Sequence, residues 1–287
     1  MFQFLQPDIS MKDSLKSIID VSQPESCEYS VGNLLGWCRH YGAEIAFIDD
    51  CIVSRISKNG LFGFPKGRDV SCAVMTIKRY FNEPKFYGLT EKEVQVLSSL
   101  CPDEYTFTPT RDYFDYVYRV EDLAALKGKR YHSKRNHISY FEKNFDWSYE
   151  EIDESNIEDC IAMHKKWFEL NVEKDRESLE AESEVLDYCF NHYFELDFLG
   201  GLIRKDGEVV AFTYGEKLND TTFDTHFEKA FSDIRGAYPM INREFAKNSL
   251  TGYEFVNRED DTGSEGLRKA KLSYHPILLQ KFTAVKL

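Results

Sequence analysis

The chain has 287 residues, 42% hydrophobic and 15% aromatic, which suits about two domains with substantial cores. Its formal net charge of -13 counts against broad nucleic-acid binding, so a polyanion would have to meet a local basic patch. Seven dispersed cysteines without a Cys-x-x-Cys pair exclude a zinc-ribbon or thioredoxin-like motif, and together with the absence of a signal-peptide pattern or a long apolar run they lead us to expect a cytoplasmic protein with no transmembrane segment.

Ser10 can cap a first helix with Met11, Leu15, Ile18 and Ile19 on one face, ended by Pro24. A second helix is expected over residues 29–41, stopped by Gly42. Two short strands, Glu44–Ile48 and Cys51–Ile56, flank an Asp49-Asp50 turn, and Leu61–Phe64 is a further strand. Asp69 can cap a helix carrying Val70, Val74 and Ile77. A strand at Lys85–Leu89 follows, then a helix to Leu100 with Thr90 and Glu93 in capping-box positions. Residues 113–120 read as a strand.

Residues 127–137 hold Lys127, Lys129, Arg130, Lys134 and Arg135, two histidines and no acid. Clustered cations without intervening acids attract polyanions, although a solvated connecting helix has the same composition. Acids from Glu150 to Asp159 mark the start of a second domain, giving domains 1–145 and 146–287. A helix over 157–170 is followed by a charged segment, 171–184, expected to be a mobile loop, and by a helix opening at Ser183. Strands 199–204, 209–218 and 221–228 are joined by Asp206-Gly207 and Asn219-Asp220 turns as a meander. A helix over 236–250, a strand at 253–256, a helix from Ser264 to Leu272 and one final strand over 278–285 complete the chain.

Each half therefore runs two helices, antiparallel strands, helix, strand, helix, which suggests a duplicated α/β domain. This order looks like the GNAT acyltransferase fold. More narrowly, Tyr29 with Asn33-Leu34-Leu35-Gly36-Trp37, the stretch from Gly128 to His137, and the stretch from Glu265 to Pro276 resemble an uncharacterised bacterial family. That family is related to the C-terminal catalytic domain of phosphatidylglycerol lysyltransferase. The resemblance implies an α/β (α+β) chain of two tandem GNAT-like domains, each a mixed, mostly antiparallel sheet flanked by helices. Its relatives, the lysyl-lipid synthases and Fem-type aminoacyltransferases, move an amino acid from aminoacyl-tRNA to a hydroxyl or amine. The Gly266-Leu267-Arg268 and Lys271 pattern is the part most like the lysyltransferases.

Acetyl-CoA enzymes of this fold usually carry an Arg/Gln-x-x-Gly-x-Gly/Ala loop before the helix that receives the pyrophosphate. Here the matching loop is Phe231–Tyr238, with Asp233 in the cation's place and Tyr238 in a small residue's place. Residues 64–69 of the first half also depart from the pattern. Aminoacyl transfer asks for less: the ester is already activated, so a site must position it and stabilise an oxyanion. The expected catalytic residues are Arg268, Lys271, Asp224 and Glu228. Asp224 and Glu228, or Glu259 and Asp260, would hold the ammonium, and His226 alternates between the first two on one predicted strand face. Arg258, Arg268 and Lys271 would face the carbonyl or a phosphate. Arg235 and Gly236 stand at the expected phosphate helix, and Lys129, Arg130, Lys134 and Arg135 would steer a tRNA backbone. No metal site is expected. Aminoacyl-tRNA is the expected donor, with CoA as the alternative, and the acceptor would be a small molecule, lipid or peptide. A ligand- or polyanion-binding module without chemistry is the third reading.

Overall fold

A computed structural model describes residues 2–57 and 60–287. The elements run α1 (Lys12–Ser22), α2 (Val31–His40), β1 (Glu44–Ile48), β2 (Cys51–Ser57), β3 (Leu61–Gly63), β4 (Lys66–Gly67), α3 (Val70–Tyr80), β5 (Lys85–Leu89), α4 (Glu91–Leu100), β6 (Tyr105–Pro109) and β7 (Asp115–Arg119). They continue with α5 (Val120–Ala125), α6 (His132–Asn144), β8 (Trp147–Glu151), α7 (Ile157–Asn171), α8 (Arg176–Asn191), β9 (Leu199–Lys205), β10 (Glu208–Lys217), β11 (Thr222–Ala230), α9 (Ala237–Asn248) and β12 (Phe255–Asn257). Last come α10 (Glu265–Leu272), β13 (Ile277–Leu279) and β14 (Phe282–Lys286). The expected succession of two helices, strands, helix, strand and helix is present in both halves, so the chain is a tandem α/β protein of GNAT-like element order.

Two compact units form. Unit 1 comprises Met1–Val117, Leu218–Asp220 and Glu259–Leu287; unit 2 comprises Tyr118–Lys217 and Thr221–Arg258. The expected boundary at 145/146 falls inside unit 2.

In unit 1 the sheet order is β1-β2-β3-β5-β14-β6, with β4 also paired to β2. The β1–β2 hairpin turns at Asp49 and Asp50, whose φ values of 49° and 57° are those of a two-residue hairpin turn. Phe62, Phe86, Ile77 and Leu97 are fully buried between sheet and helices. The capping box at Thr90 and Glu93 forms as its spacing predicts. The last strand is the surprise. Residues 278–285 do not make one strand: β13 pairs with β7 and β14 lies between β5 and β6. The chain changes partners around Lys281, whose side chain is wholly buried. Strand β6 also escaped the reading, because its pairing is supplied by a segment more than 170 residues away.

In unit 2 the strands β12-β11-β10-β9-β8 lie side by side, β11 and β12 parallel and the others antiparallel. The charged segment 171–184 is not a loop. It is a single tight turn, Val172–Lys174, followed by α8, whose N-cap Asp175 accepts a hydrogen bond from the Ser178 amide. Its Glu, Arg, Ala and Leu residues are good helix formers, and the charges face solvent with Arg176 and Glu180 paired at i, i+4.

The β10–β11 ladder carries a bulge. Tyr214 pairs with Phe227 but Gly215 pairs with Thr225, so His226 is the extra residue. Gly215 is required there: a Cβ would lie 1.8 Å from the Asp224 carbonyl oxygen. Because side chains alternate along a strand, the bulge breaks the expected single face of Asp224, His226 and Glu228. Asp224 and His226 stay with Glu216, while Glu228 turns to the side covered by α9.

Candidate functional site

Unit 1 gathers the predicted Arg268, Lys271, Glu259 and Asp260 around a turn and a helix. Ser264 caps α10 by accepting from the Leu267 amide. From the first turn of that helix the Arg268 guanidinium reaches back to Asp261, with Nε to Oδ2 at 2.9 Å and Nη2 to Oδ1 at 2.7 Å, and also reaches Asp112 at 2.7 Å. Asp261 is fully buried and further accepts from Tyr116 Oη, from Arg111 at 3.3 Å and from the Gly263 amide at 2.9 Å. Burial alone would raise its pKa; the Arg268 and Tyr116 hydrogen bonds hold it well below the ordinary carboxylate range. Asp261 is the hub of this network. Arg268 is thus bound to two carboxylates, and Lys271 donates from Nζ to the Asp260 carbonyl oxygen. Both cations fix the geometry of the acidic turn.

That turn borders a buried ionic cluster which spacing did not reveal. Lys281 and Asp115 are both fully buried, and their charged ends are paired. Lys281 Nζ also lies 2.6 Å from Glu28 Oε1 and 3.6 Å from Cys27 Sγ. Asp115 accepts from the Cys27 amide at 3.0 Å. Asn33, quoted above within a family-like stretch, links Glu259 Oε1 to the Cys27 carbonyl at 2.8 Å each. Burial works against the Lys281 ammonium, but Asp115 and its neighbours hold its pKa well above the usual lysine value. The Asp260 carboxyl goes the other way. Burial pushes it up to about 7; Lys281 opposes this, and Asp115, Glu28 and Glu259 add to it. Donor atoms of Cys27, Glu28 and Asp115 are close enough together to hold a metal ion, yet the Lys281 ammonium stands among them and supplies the positive charge.

Unit 2 brings together Glu228, Arg258 and Lys134. Arg258 Nη2 pairs with Glu228 Oε1 at 2.6 Å, and Asn242 on α9 donates to Glu228 Oε2 at 3.3 Å. Lys134, on α6, is partly buried; burial first, and then the Arg258 charge, lower its pKa to about 8 against the pull of Glu228. On the other side of the sheet, buried His226 binds Glu216 at 3.0 Å, with Asp224 at 3.8 Å from its other ring nitrogen. Asp224 and Glu228 are therefore separated by the bulge.

The helix terminus that would receive a pyrophosphate is crowded by α6 at Gly236. Gly236, with φ +97°, precedes α9, and a Cβ there would stand 2.5 Å from the His137 carbonyl oxygen of α6. The Arg235 guanidinium lies over the Tyr140 ring at 4.3 Å. We expect Gly236→Ala to cost about 2 kcal/mol in urea unfolding, from backbone strain and displaced α6; an unchanged midpoint would contradict this packing. In unit 1, the matching helix α3 is capped by its own Asp69, which accepts from the Cys72 amide at 3.0 Å, an acid where an anion would bind.

The basic segment divides. Arg135 Nη1 donates to the carbonyls of Leu126 and Gly128, closing the end of α5. Arg130 pairs with Asp122 at 3.0 Å and stacks on Tyr131. Lys127 and Lys129 are exposed. Lysines and arginines adjacent in sequence thus serve different elements, which charge counting cannot foresee.

Comparison with known proteins agrees with this architecture. Residues 20–285 match the family model described as phosphatidylglycerol lysyltransferase, C-terminal. The chain is 23% identical over 181 residues to the uncharacterized protein MYCGA3080 of Mycoplasmoides gallisepticum, covering 60% of this chain and 56% of that protein, so it spans little more than half the length of that relative. A conserved protein of unknown function from Bacteroides thetaiotaomicron is 33% identical, with a TM-score of 0.92 and full coverage of both chains. The C-terminal domain of a putative lysylphosphatidylglycerol synthetase from Agrobacterium fabrum shares the fold at 13% identity, with a TM-score of 0.66 over 97% of this chain and 92% of that one. Among the described residues no helix is long and apolar enough to cross a membrane. With nearly its whole length matched, the chain belongs to the phosphatidylglycerol lysyltransferase C-terminal domain family.

Proposed function

We propose that the protein is an aminoacyltransferase that takes its acyl group from aminoacyl-tRNA in the cytoplasm and passes it to a small, lipid or peptide acceptor. The observation that carries this reading is the crowded start of α9: α6 packs against Gly236 and the Arg235 guanidinium lies on Tyr140, which disfavours the CoA-dependent alternative at that helix. An aminoacyl ester needs no pyrophosphate anchor. In unit 2, Arg258, held by Glu228, is the donor to the developing oxyanion, and Asn242 fixes Glu228. Lys134, with its pKa near 8, is the group that takes the proton from the attacking hydroxyl or amine when it is neutral. Asp224 stands beside His226, on the other side of the bulge from Glu228. In unit 1, Arg268 and Lys271 are positioning residues for the Glu259–Asp260 turn, whose carboxylates suit an ammonium. Lys127, Lys129 and Arg130 are the surface cations for a phosphodiester backbone.

The test offers separate tRNA pools charged with each amino acid and reads ester loss and label transfer. Wild type is expected to accelerate ester loss, and Arg258→Gln to reduce the rate by about 10²–10³ as oxyanion donors do. The wild-type rate should rise with pH through about 8 as Lys134 deprotonates, a rise absent in Lys134→Met. No acceleration with any charged tRNA, together with CoA bound in native mass spectrometry, would overturn the reading.

A further inference from the structure

A pocket of about 430 Å³ opens in unit 2 away from the Arg258–Glu228 pair, between the end of α5, α6, β8 and α9. Its lining includes apolar Leu126 and Ile138 together with Arg135, Arg243, Lys247 and Trp147. The volume is that of a small-ligand site. The cations are not equally committed. Arg243 is held rigid, with Nε to Glu244 at 2.6 Å and Nη2 to Glu142 at 2.7 Å. Among the described residues Arg135 uses Nη1 on the two carbonyls, and its Nε and Nη2 can donate to a ligand. Lys247 is 59% exposed and stands 3.7 Å from Glu244, too far for a tight pair. Three cations against the two carboxylates of Glu142 and Glu244 leave the pocket positive in a chain of net charge -13. An indole beside them adds a flat apolar surface.

We propose that this pocket binds a nucleoside monophosphate unit, its base against Trp147 and its phosphate on Arg135 and Lys247. Guanidinium donors match phosphate oxygens in pairs, an ammonium adds a point charge, and a base stacks on an aromatic face whatever its sequence. The unit could come as a free mononucleotide or as one residue of a polynucleotide; the recognition chemistry is the same. The inference stands on the residues that line the pocket, and it does not depend on acyl transfer.

Titration of the full chain with AMP, followed by tryptophan fluorescence, tests it. Trp37 and Trp167 give a constant background. AMP at millimolar concentration is expected to quench the emission; Trp147→Phe removes the change, and Lys247→Gln weakens binding about tenfold. Lys247 is exposed, so that variant keeps the fold. Displacement of AMP by uncharged tRNA identifies a polynucleotide as the source, and AMP binding that tRNA leaves untouched identifies a free nucleotide; both support the site. Absence of quenching by AMP, or affinity unchanged in Lys247→Gln, overturns it. AMP binding in a protein that fails the transfer test leaves this inference standing, and AMP binding by itself decides nothing about acyl transfer.

Discussion

Replacing Lys281 with methionine should cost about 3–5 kcal/mol of folding stability, a loss of size expected when one partner of a buried ion pair is removed. Lys281 and Asp115 are both fully buried, and the lysine also serves Glu28 and lies near Cys27. Methionine can fill much of the volume, so the loss is chiefly the charge left without its partner. Desolvated carboxylates cannot simply return to water, and Asp115 would keep the Cys27 amide and thiol but lose the ammonium that balances its charge. The double variant Lys281→Met with Asp115→Asn should regain a clear part of the loss, since the amide removes the stranded charge and can still accept from Cys27. Urea unfolding curves for the three proteins decide this. A single-variant loss under about 1 kcal/mol, or no recovery in the double variant, would show that the pair is not a structural keystone.

The second large effect is a pH dependence centred on Asp260. Its carboxyl has a folded-state pKa of about 7 against an unfolded value of 3.8. The folded chain therefore binds more protons than the unfolded chain between those pH values. The stability supplied by that proton is complete below about pH 4 and is lost as pH rises through 7. The total is on the order of a few kcal/mol, since each unit is worth about 1.4 kcal/mol. The groups responsible all belong to unit 1: Lys281 favours ionisation, and burial, Asp115, Glu28 and Glu259 oppose it. Asp261, one residue on, has the opposite sign. Its pKa lies below 3.8, so its contribution is present above about pH 4 and lost in stronger acid. Wild-type stability should consequently fall between pH 5 and pH 8, and Asp260→Asn should flatten that fall. Parallel slopes for the two proteins would remove Asp260 as the cause. Any ligand bringing an ammonium to Asp260 should lower this pKa, so ligand affinity would rise over the same interval.

Much of the element order was legible, because the residues that set it act locally. Asp49-Asp50, Thr90 with Glu93, Asp69 and Ser264 each mark a turn or a helix start by chemistry within a few residues. The site was legible only where its members share a segment. Arg258 and Glu228 were both named, but their pairing depends on the parallel contact of β12 with β11. The single face of Asp224, His226 and Glu228 failed on one extra residue at the bulge, which no period-two pattern announces. Lys281, Asp115 and Cys27 were invisible for another reason. A lysine between two strand-like stretches looks solvated unless its partners are known, and Cys27 lies 254 positions away. Asp261 was hidden by its own turn chemistry, for its bond to the Gly263 amide is what any turn aspartate makes. The segment 171–184 misled through its charge: density of charge was read as disorder, although its residue types favour a helix.

The position of β14 has a consequence for how the protein is made. This strand separates β5 from β6, and its Ala284 lies opposite Phe86 and Phe107. During synthesis from the N-terminus, a nascent chain lacks that strand until all of unit 2 has been added. Until then β5 and β6 present unpaired edges to one another across an open slot, and apolar Phe86 and Leu89 lack part of their cover. The first-made unit is therefore the last to close, while unit 2, whose segments lie between residues 118 and 258, can finish ahead of it. A chain stalled before Phe282 should be protease-sensitive in its N-terminal third and resistant in its middle, a polarity opposite to the usual order of vectorial folding.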